Sequence, residues 1–477
     1  MSFTKSITEY RHALNLGKTT CRETVHQYLE KINDKKHLNA FIHVFSEEAL
    51  NRAAELDRKR NSGHVMGKLH GVIIAIKDVL CYKDHPVSAA SGILKDFNSI
   101  YSATAIERLL KEEAIIIGIC NCDEFAMGST NENSSYGKVL NGLDETRVPG
   151  GSSGGSAVAV QTGLCMASLG SDTGGSVRQP ADFCGIIGLK PTYGRVSRYG
   201  LIAYASSFDQ IGIFGNTIKD VSLILEVIAG PDEYDSTVSQ NKTDEYSSFL
   251  SSDKKKFRFA YFKETLEHPS LDKEIANKIY SLFDKLKNEG HDVTALSFEH
   301  LDYIVPTYYI LTTAEASSNL SRYDGVRYGY RSCKTSDDLT EFYKHNRSDG
   351  FGKEVKRRIM LGTFVLSTGY YDAYFSKAQK VRRKLVEKTE LVFNDFDFIL
   401  MPTSPSVAFK IGEKTDDPIA MYLADIYTVF ANLTGIPGIS LPLFKHSNEM
   451  PFGIQLMAKQ FEELSLLQAS EYLMQIK

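Results

Sequence analysis

The chain has 477 residues, of which 42% are hydrophobic and 24% charged, and its formal net charge is -4. These fractions are those of an ordinary globular protein, and they exclude a largely disordered chain. The near balance of acidic and basic residues argues against a strongly basic nucleic-acid-binding surface, although it leaves room for a local basic patch.

The N-terminus and the cysteines both favour a cytoplasmic protein. Residues 1–10 carry charges and no apolar core, which argues against a signal peptide. No apolar run reaches the ~18 residues needed to span a bilayer. The seven cysteines are scattered, and the C-x-C formed by Cys120 and Cys122 has no second pair to complete a zinc or redox site. We therefore expect free thiols in a reducing compartment, no bound metal and no membrane association.

The first part of the chain changes from helical to strand-like patterns. Residues 20–32 and 47–60 place apolar side chains at helical spacing, which predicts a helical N-terminal arm over about residues 1–65. Residues 72–76 and 114–119 are short, apolar, β-branched runs typical of buried strands, and a helix is predicted between them at 105–111. This alternation favours an α/β fold with a central mixed, largely parallel β-sheet covered by helices on both faces.

The rest of the chain continues the mixture of helices and strands. The predicted elements are a helix at 218–229, a surface loop at 232–256, a strand at 257–262, a helix at 273–288, a mostly helical stretch at 308–393, and strands at 398–401 and 438–441. Neither an internal repeat nor a low-complexity linker divides the chain. We therefore predict a single domain over residues 1–477.

Two glycine- and serine-rich segments stand out, PGGSSGGS at residues 149–156 and GSDTGGS at 170–176. Glycine costs roughly 0.5–1 kcal/mol relative to alanine in regular structure, so this density indicates backbone conformations that glycine reaches most easily. Loops of this kind expose N–H groups that can hold a phosphate or an oxyanion. Phosphate binding is disfavoured, because neither segment matches a nucleotide-binding glycine motif and no lysine closes either loop.

Acyl transfer by a serine agrees better with these loops. GSSGG at residues 151–155 matches G-x-S-x-G with Ser153 as the nucleophile, but the residues before it are polar and end in proline, unlike a strand. No histidine lies between His85 and His268, although a Ser-His-Asp triad with a more distant histidine remains open. A neutral lysine is the alternative base. Lys77, directly after the predicted strand 72–76, is the candidate, unless it merely marks where that strand reaches water.

Long segments in matching order and spacing resemble the amidase signature family. They are GVIIAIKD at residues 71–78, GGSSGGS at 150–156, GSDTGGSVRQPA at 170–181 and GIIGLKPT at 185–192. The resemblance implies the α/β amidase signature fold and a Ser–cisSer–Lys triad, in which Ser176 is the nucleophile, Ser152 the bridging serine and Lys77 the base. It also implies an oxyanion hole formed by the backbone N–H groups of Thr173, Gly174, Gly175 and Ser176.

Further segments resemble one branch of that family, the A subunits of glutamyl-tRNA(Gln) amidotransferases. They are DEFAMGSTNENS (123–134), EASSNL (315–320), YDGVRYG (323–329), EVKRRI (354–359), GYYDAY (369–374) and MYLAD (421–425). The resemblance implies an enzyme subunit that hydrolyses glutamine to glutamate and ammonia. It also implies a channel that carries the ammonia to the B subunit, which contacts most of the tRNA and uses ATP and Mg to convert Glu-tRNA(Gln) to Gln-tRNA(Gln). The C subunit ties the two together, and no cofactor is expected on this chain itself.

The same resemblance assigns a glutamine pocket to Arg358, Asp425 and Tyr309. An amino acid presents a carboxylate and an ammonium group, which a bidentate arginine and an aspartate suit. The neighbouring Arg357 leaves the arginine assignment open by one residue, and a lone Arg or Asp is more often a solvated surface charge. Two other functions remain open: a stand-alone amidase for another small amide, and a non-catalytic scaffold.

Overall fold

The computed structural model describes residues 6–250, 256–334, 337–414 and 424–476, and within these ranges eleven strands form one sheet. The strands are β1 (Phe41–Val44), β2 (Ile73–Lys77), β3 (Ile115–Cys120), β4 (Ala167–Asp172), β5 (Ile187–Lys190), β6 (Gln210–Gly215), β7 (Arg258–Phe262), β8 (Asp292–Leu296), β9 (Phe398–Pro402), β10 (Gly438–Lys445) and β11 (Pro451–Ala458). Their order across the sheet is β1-β3-β2-β4-β6-β5-β10-β11-β9-β7-β8. The α/β class and the central mixed sheet are as predicted.

Strand direction corrects one part of the prediction, because the sheet is not largely parallel. Of the ten pairings described, four are parallel, namely β2 with β3 and β4, and β7 with β8 and β9. The other six are antiparallel. Parallel neighbours need a long crossover connection, whereas β10 and β11 are joined by residues 446–450 alone and must run in opposite directions. The helix–strand alternation of residues 72–119 therefore describes only its own part of the sheet.

Helices pack around this sheet within the described ranges. They are α1 (Ile7–Asn15), α2 (Cys21–Asp34), α3 (Ser46–Asn61), α4 (Thr104–Lys111), α5 (Gly154–Gln161), α6 (Arg178–Cys184), α7 (Ile218–Ile228), α8 (Lys263–Leu266), α9 (Lys273–Asn288), α10 (Leu301–Asn319), α11 (Leu339–Gly350), α12 (Lys353–Val365), α13 (Lys377–Asp395), α14 (Val429–Thr434) and α15 (Glu463–Gln475). Every residue of β2 to β6 and of β9 is buried. Because successive side chains of a strand point to opposite faces, both faces of this central region are covered. None of the helices in the described ranges is long and apolar enough to cross a membrane.

The N-terminal arm contains three helices and also a strand that the sequence pattern did not predict. β1 has four partly buried residues and pairs antiparallel with β3, with Phe41 opposite Cys120. α2 begins at a capping box, in which the side chains of Thr20 and Glu23 each accept the other's backbone N–H. Four residues are too few for a strand period to stand out between two helices. The arm is therefore joined to the edge of the sheet through β1.

Two parallel strands at the centre of the sheet position the candidate site. β2 and β4 are neighbours, with Ile76 opposite Leu169, so their carboxyl ends meet at the same edge. β2 ends at Lys77, and β4 ends at Asp172 inside the second Gly/Ser segment. The first Gly/Ser segment leads into α5, which packs on both strands. Lys77 and the two segments are thereby brought together, at the kind of edge where an α/β sheet binds its ligand.

Candidate active site

Lys77 is a fully buried lysine whose terminal nitrogen is surrounded by three serine hydroxyls. Its Nζ lies 2.7 Å from Ser152 Oγ and 2.9 Å from the Oγ atoms of Ser153 and Ser171. Burial lowers the pKa of Lys77 to about 8, well below its ordinary value, because the charged form is desolvated. A neutral amine that can accept a proton is therefore available near neutral pH.

The three hydroxyls around Lys77 are not equivalent. Ser153 Oγ donates to the backbone carbonyl of Ser171 at 3.1 Å, so it accepts, rather than donates, the bond to Lys77. A neutral lysine has two N–H bonds and one lone pair. When the two N–H bonds point to Ser153 and Ser171, the lone pair faces Ser152, which is at the shortest of the three distances. The arrangement can therefore take the hydroxyl proton of Ser152.

Ser152 is held by the backbone packed around it. Its carbonyl accepts the N–H of Asp123 at 3.0 Å, and the Gly151–Ser152 peptide bond is cis, the isomer that the family resemblance implies. Gly151 has no room for a side chain, because a Cβ there would lie 2.2 Å from a carboxylate oxygen of Asp123 and 2.5 Å from the nitrogen of Thr130. Glycine at this position therefore permits the close packing that fixes Ser152 beside Lys77.

Ser176, in the second Gly/Ser segment, differs from the other serines of the site. It is 8% exposed, whereas Ser152 and Ser153 are fully buried. Within the described part of the chain no hydrogen bond reaches its hydroxyl, while Ser153 Oγ is bonded to Lys77 and to the backbone of Ser171. The Ser176 hydroxyl is therefore available to a substrate. Ser153, the nucleophile under the G-x-S-x-G interpretation, is occupied and enclosed.

A fully buried ion pair holds the loop before Ser176 in shape. Arg178 donates to both carboxylate oxygens of Asp172, at 3.0 and 3.2 Å. The same carboxylate accepts the backbone N–H groups of Gly175 at 2.9 Å and Val177 at 3.1 Å. Burial acts to raise the pKa of Asp172, but the Arg178 guanidinium outweighs it and the pKa is lowered to about 2. Asp172 therefore stays ionised and keeps the loop closed.

The loop offers fewer backbone donors than the sequence predicted. The N–H of Gly175, one of the four predicted oxyanion donors, is bonded to Asp172 and is not free. The N–H groups of Gly174 and Ser176 make no hydrogen bond with any residue that the structure describes. Gly175 has a φ of +123°, which glycine adopts most readily, so its part is to turn the chain. We therefore restrict the candidate oxyanion hole to Thr173, Gly174 and Ser176.

Arg358, Tyr309 and Asp425 meet in a buried cluster beside this loop. The Tyr309 hydroxyl donates to Asp425 at 3.1 Å, and the Arg358 guanidinium carbon lies 5.4 Å from the centre of the Tyr309 ring. Tyr308 packs against Gly174, where an added Cβ would lie 2.4 Å from its ring. Burial raises the pKa of Asp425 to about 6, so its carboxylate remains mostly charged at neutral pH. One cation and one anion therefore lie close to the candidate nucleophile.

The two adjacent arginines of α12 lie in different surroundings. The Arg358 side chain is 5% exposed and donates to the Tyr204 hydroxyl at 2.8 Å and to Glu354 at 2.9 Å. The Arg357 side chain is 38% exposed and bonds Glu354 from the outside. Within the described ranges nothing bonds Nη2 of Arg358, so one edge of the guanidinium is open to a carboxylate. The structure favours Arg358 over Arg357 for a buried ligand.

Two residues of this cluster were not predicted from the sequence. Ser129 Oγ donates to Asp425 at 2.8 Å, and Tyr204 holds Arg358. Ser129 lies inside the DEFAMGSTNENS segment, which was the available signal, whereas the loop that carries Tyr204 has no distinctive pattern. Of the MYLAD segment, residues 421–423 lie outside the described residues.

Cysteines and metal ligands show no cluster at this site. Among the described residues, no group of three or more His, Cys, Asp and Glu side chains is arranged to hold a metal ion. All seven cysteines are free, six of them buried and Cys333 exposed. Burial raises the pKa of both Cys120 and Cys122 well above the ordinary value, so neither thiol of the C-x-C is reactive at neutral pH.

Known proteins share this fold and these motifs over almost the whole chain. The family model described as Amidase matches residues 23–467. The chain is 49% identical over 462 residues, 97% of each chain, to the A subunit of glutamyl-tRNA(Gln) amidotransferase from Chlorobium phaeobacteroides strain DSM 266. The crystal structure of the A subunit of glutamyl-tRNA(Gln) amidotransferase from Thermotoga maritima matches with a TM-score of 0.78 and 37% identity, covering 98% of this chain and 95% of that one. The native peptide amidase of Stenotrophomonas maltophilia matches with a TM-score of 0.82 and 25% identity, covering 99% and 96%.

Proposed function

The chain belongs to the amidase family, and we propose that within it this chain is the glutamine-hydrolysing subunit of a tRNA-dependent amidotransferase. The observation that carries the proposal is the buried cluster of Arg358, Asp425 and Tyr309 beside the loop that ends in Ser176. Free glutamine carries the two charges that this cluster complements, whereas a simple amide carries neither. The 49% identity to the A subunit of an amidotransferase supports the same assignment.

Lys77, Ser152 and Ser176 carry the first half of the proposed reaction. Neutral Lys77 accepts the hydroxyl proton of Ser152, and Ser152 accepts that of Ser176, so the Ser176 oxygen attacks the carboxamide carbon of glutamine. Negative charge then develops on the carboxamide oxygen. Backbone N–H groups of the loop stabilise it, with those of Gly174 and Ser176 free to do so. The product of this step is a tetrahedral intermediate bound to Ser176.

The same relay runs in reverse to release ammonia. Protonated Lys77 returns its proton through Ser152 to the leaving nitrogen, the C–N bond breaks, and ammonia departs from a γ-glutamyl ester on Ser176. A water molecule, deprotonated through Ser152, then attacks the ester carbon. Glutamate leaves as the Ser176 oxygen regains a proton. One glutamine and one water thus give one glutamate and one ammonia.

Ammonia is the product that such an amidotransferase takes from its glutaminase. We infer that it passes through a channel to the B subunit, which contacts most of the tRNA and converts Glu-tRNA(Gln) to Gln-tRNA(Gln) in the cytoplasm, while the C subunit ties the two together. ATP and Mg²⁺ are assigned to the B subunit, because neither Gly/Ser segment of this chain matches a nucleotide-binding motif. The name shared by the relatives from Chlorobium and Thermotoga supports this division of labour.

The substrate preference of the assembled complex tests the proposed function. With the B and C subunits present, we expect efficient hydrolysis of glutamine and at least a hundredfold lower kcat/KM for butyramide. Butyramide leaves Arg358 and Asp425 buried without partners, each at about 1–3 kcal/mol or more, and every 1.4 kcal/mol is about tenfold. Equal use of the two amides would replace the proposal by a stand-alone amidase. Hydrolysis of neither would favour a non-catalytic scaffold.

Substitution of Arg358 tests the carboxylate-binding residue. Arg358→Lys keeps a positive charge but loses the planar fork, so we expect kcat/KM for glutamine to fall roughly 10- to 100-fold, with a raised KM. Arg358→Ala should fall further. Arg357→Ala is the matched control, because its half-exposed side chain should leave both constants nearly unchanged. The opposite ranking of the two positions would assign the pocket to Arg357. Steady-state kinetics with glutamine measure all three variants.

A further inference from the structure

Tyr204 links the carboxylate-binding arginine to the nucleophile loop, which we define as residues 173–176. It is 1% exposed and lies between β5 and β6. Its hydroxyl accepts a hydrogen bond from Nη1 of Arg358 at 2.8 Å, and its ring centre lies 5.6 Å from the guanidinium carbon. Two routes lead from Tyr204 to the nucleophile loop. One starts at its backbone and the other at its hydroxyl.

The first route passes through the buried carboxylate of Asp209. The backbone N–H groups of Tyr204 and Ala205 donate to one oxygen of this carboxylate, at 2.9 and 3.0 Å. The hydroxyl of Thr173 donates to the other oxygen at 2.7 Å. Asp209 is 3% exposed, so water competes little for these bonds. A single carboxylate therefore ties the backbone of Tyr204 to the first residue of the nucleophile loop.

The second route passes through α10. The Tyr204 hydroxyl donates to Thr312 Oγ1 at 3.0 Å, and Thr312 Oγ1 in turn donates to the carbonyl of Tyr308 at 2.8 Å. Tyr308 packs against Gly174, where a Cβ would overlap its ring. The hydroxyl that holds Arg358 is thus joined to the middle of the nucleophile loop as well. A shift of Arg358 cannot leave Tyr204 and its two sets of partners unmoved, because all of them are buried and in contact.

We propose that Tyr204 is a positioning residue that couples recognition of the substrate's α-carboxylate at Arg358 to the alignment of the nucleophile loop. The proposal rests on the proposed function. A carboxylate bound at the open edge of Arg358 fixes the guanidinium, and Tyr204 passes that restraint to Thr173 and Gly174. Binding energy from a part of the substrate far from the reacting amide then contributes to kcat as well as to KM. Such restraint matters, because a misplacement of about 1 Å at the reacting atoms can cost roughly 10²-fold in rate.

Two substrates that differ only in the α-carboxylate test this coupling in the assembled complex. They are glutamine and 4-aminobutanamide, which is glutamine without that group. We expect the wild-type kcat to be at least about tenfold higher for glutamine. Tyr204→Phe keeps the ring beside Arg358 and removes the hydroxyl, so kcat for glutamine should fall about tenfold while kcat for 4-aminobutanamide changes less than about twofold. Tyr193→Phe is the matched control, because its hydroxyl donates to the carbonyl of Ser206 instead, and both values should be retained.

The outcomes separate the coupling from the proposed function. An equal loss of kcat for both substrates in Tyr204→Phe, or a change confined to KM for glutamine, overturns the coupling. Thr312→Val interrupts the second route alone, so a narrower glutamine preference is expected there too, and it decides the matter where Tyr204→Phe does not fold. A wild-type complex that turns over both substrates equally contradicts the proposed function itself. A wild-type glutamine preference that survives both substitutions overturns the coupling and leaves the proposed function standing.

Discussion

Ser176→Ala is expected to abolish glutamine hydrolysis, with kcat lowered by a factor on the order of 10⁴–10⁶. The Ser176 hydroxyl is partly exposed and unbonded within the described ranges, and alanine at this position cannot form the covalent intermediate. The complex should still convert Glu-tRNA(Gln) to Gln-tRNA(Gln) when supplied with ammonium chloride, because only the source of ammonia lies on this chain. Glutamate release and tRNA amidation, measured in parallel, separate the two activities.

A second buried serine of the same motif provides the control for Ser176→Ala. The Ser156 hydroxyl donates to the carbonyl of Leu169 at 3.1 Å and lies in the first Gly/Ser segment. Ser156→Ala should cost about 1 kcal/mol of unfolding free energy and retain turnover. Substantial glutamine hydrolysis by Ser176→Ala would move the nucleophile to Ser153. Loss of ammonia-dependent amidation as well would indicate failed assembly rather than lost chemistry.

The strands that the sequence predicted are those whose burial is apparent from apolar residues alone. Ile73–Lys77 and Ile115–Cys120 were each predicted to within about one residue, because their β-branched runs are unbroken. β4 and β11 were missed because serine, glycine and glutamine interrupt them. Gln455 is nevertheless fully buried in β11, where its oxygen accepts a hydrogen bond from Arg178 at 2.9 Å. Such a partner comes from a distant part of the chain, so residue periodicity carries no trace of it.

Within the site, motifs predicted which residues are present but not how their hydrogen bonds are shared. Lys77 and Ser152 are 75 positions apart, and only the resemblance to the amidase signature family placed them together before the structure did. The motif also shows four consecutive N–H groups in the nucleophile loop, yet it cannot show that Asp172 takes the one from Gly175. Tyr204 was missed for the same reason, since its contact with Arg358 depends on the packing of α12. Side-chain direction is decided by tertiary structure, and sequence spacing does not encode it.

Lys77→Arg is expected to lower kcat for glutamine by at least about 10²-fold, because a guanidinium cannot lose a proton near neutral pH. Lys77→Met, which removes the base but keeps much of the apolar stem, should be impaired at least as strongly. The wild type supplies a pH test of the same point. Burial lowers the pKa of Lys77 to about 8, and the protonated form is inactive as a base. We therefore expect kcat/KM to rise about tenfold per pH unit below pH ~8 and to level off above it.

A second fully buried lysine separates lost chemistry from the cost of fitting a larger side chain. Lys190 donates to the carbonyls of Pro191 and Ile436 and to none of the serines around Lys77. Lys190→Arg should lose about 1–3 kcal/mol of unfolding free energy through overpacking and retain turnover in the folded fraction. Lys77→Arg should show a comparable loss of stability together with the loss of rate and of the pH dependence. Near-normal turnover in Lys77→Arg would mean that Lys77 acts as a fixed positive charge, and the proton of Ser176 would then need an acceptor other than the Ser152 relay.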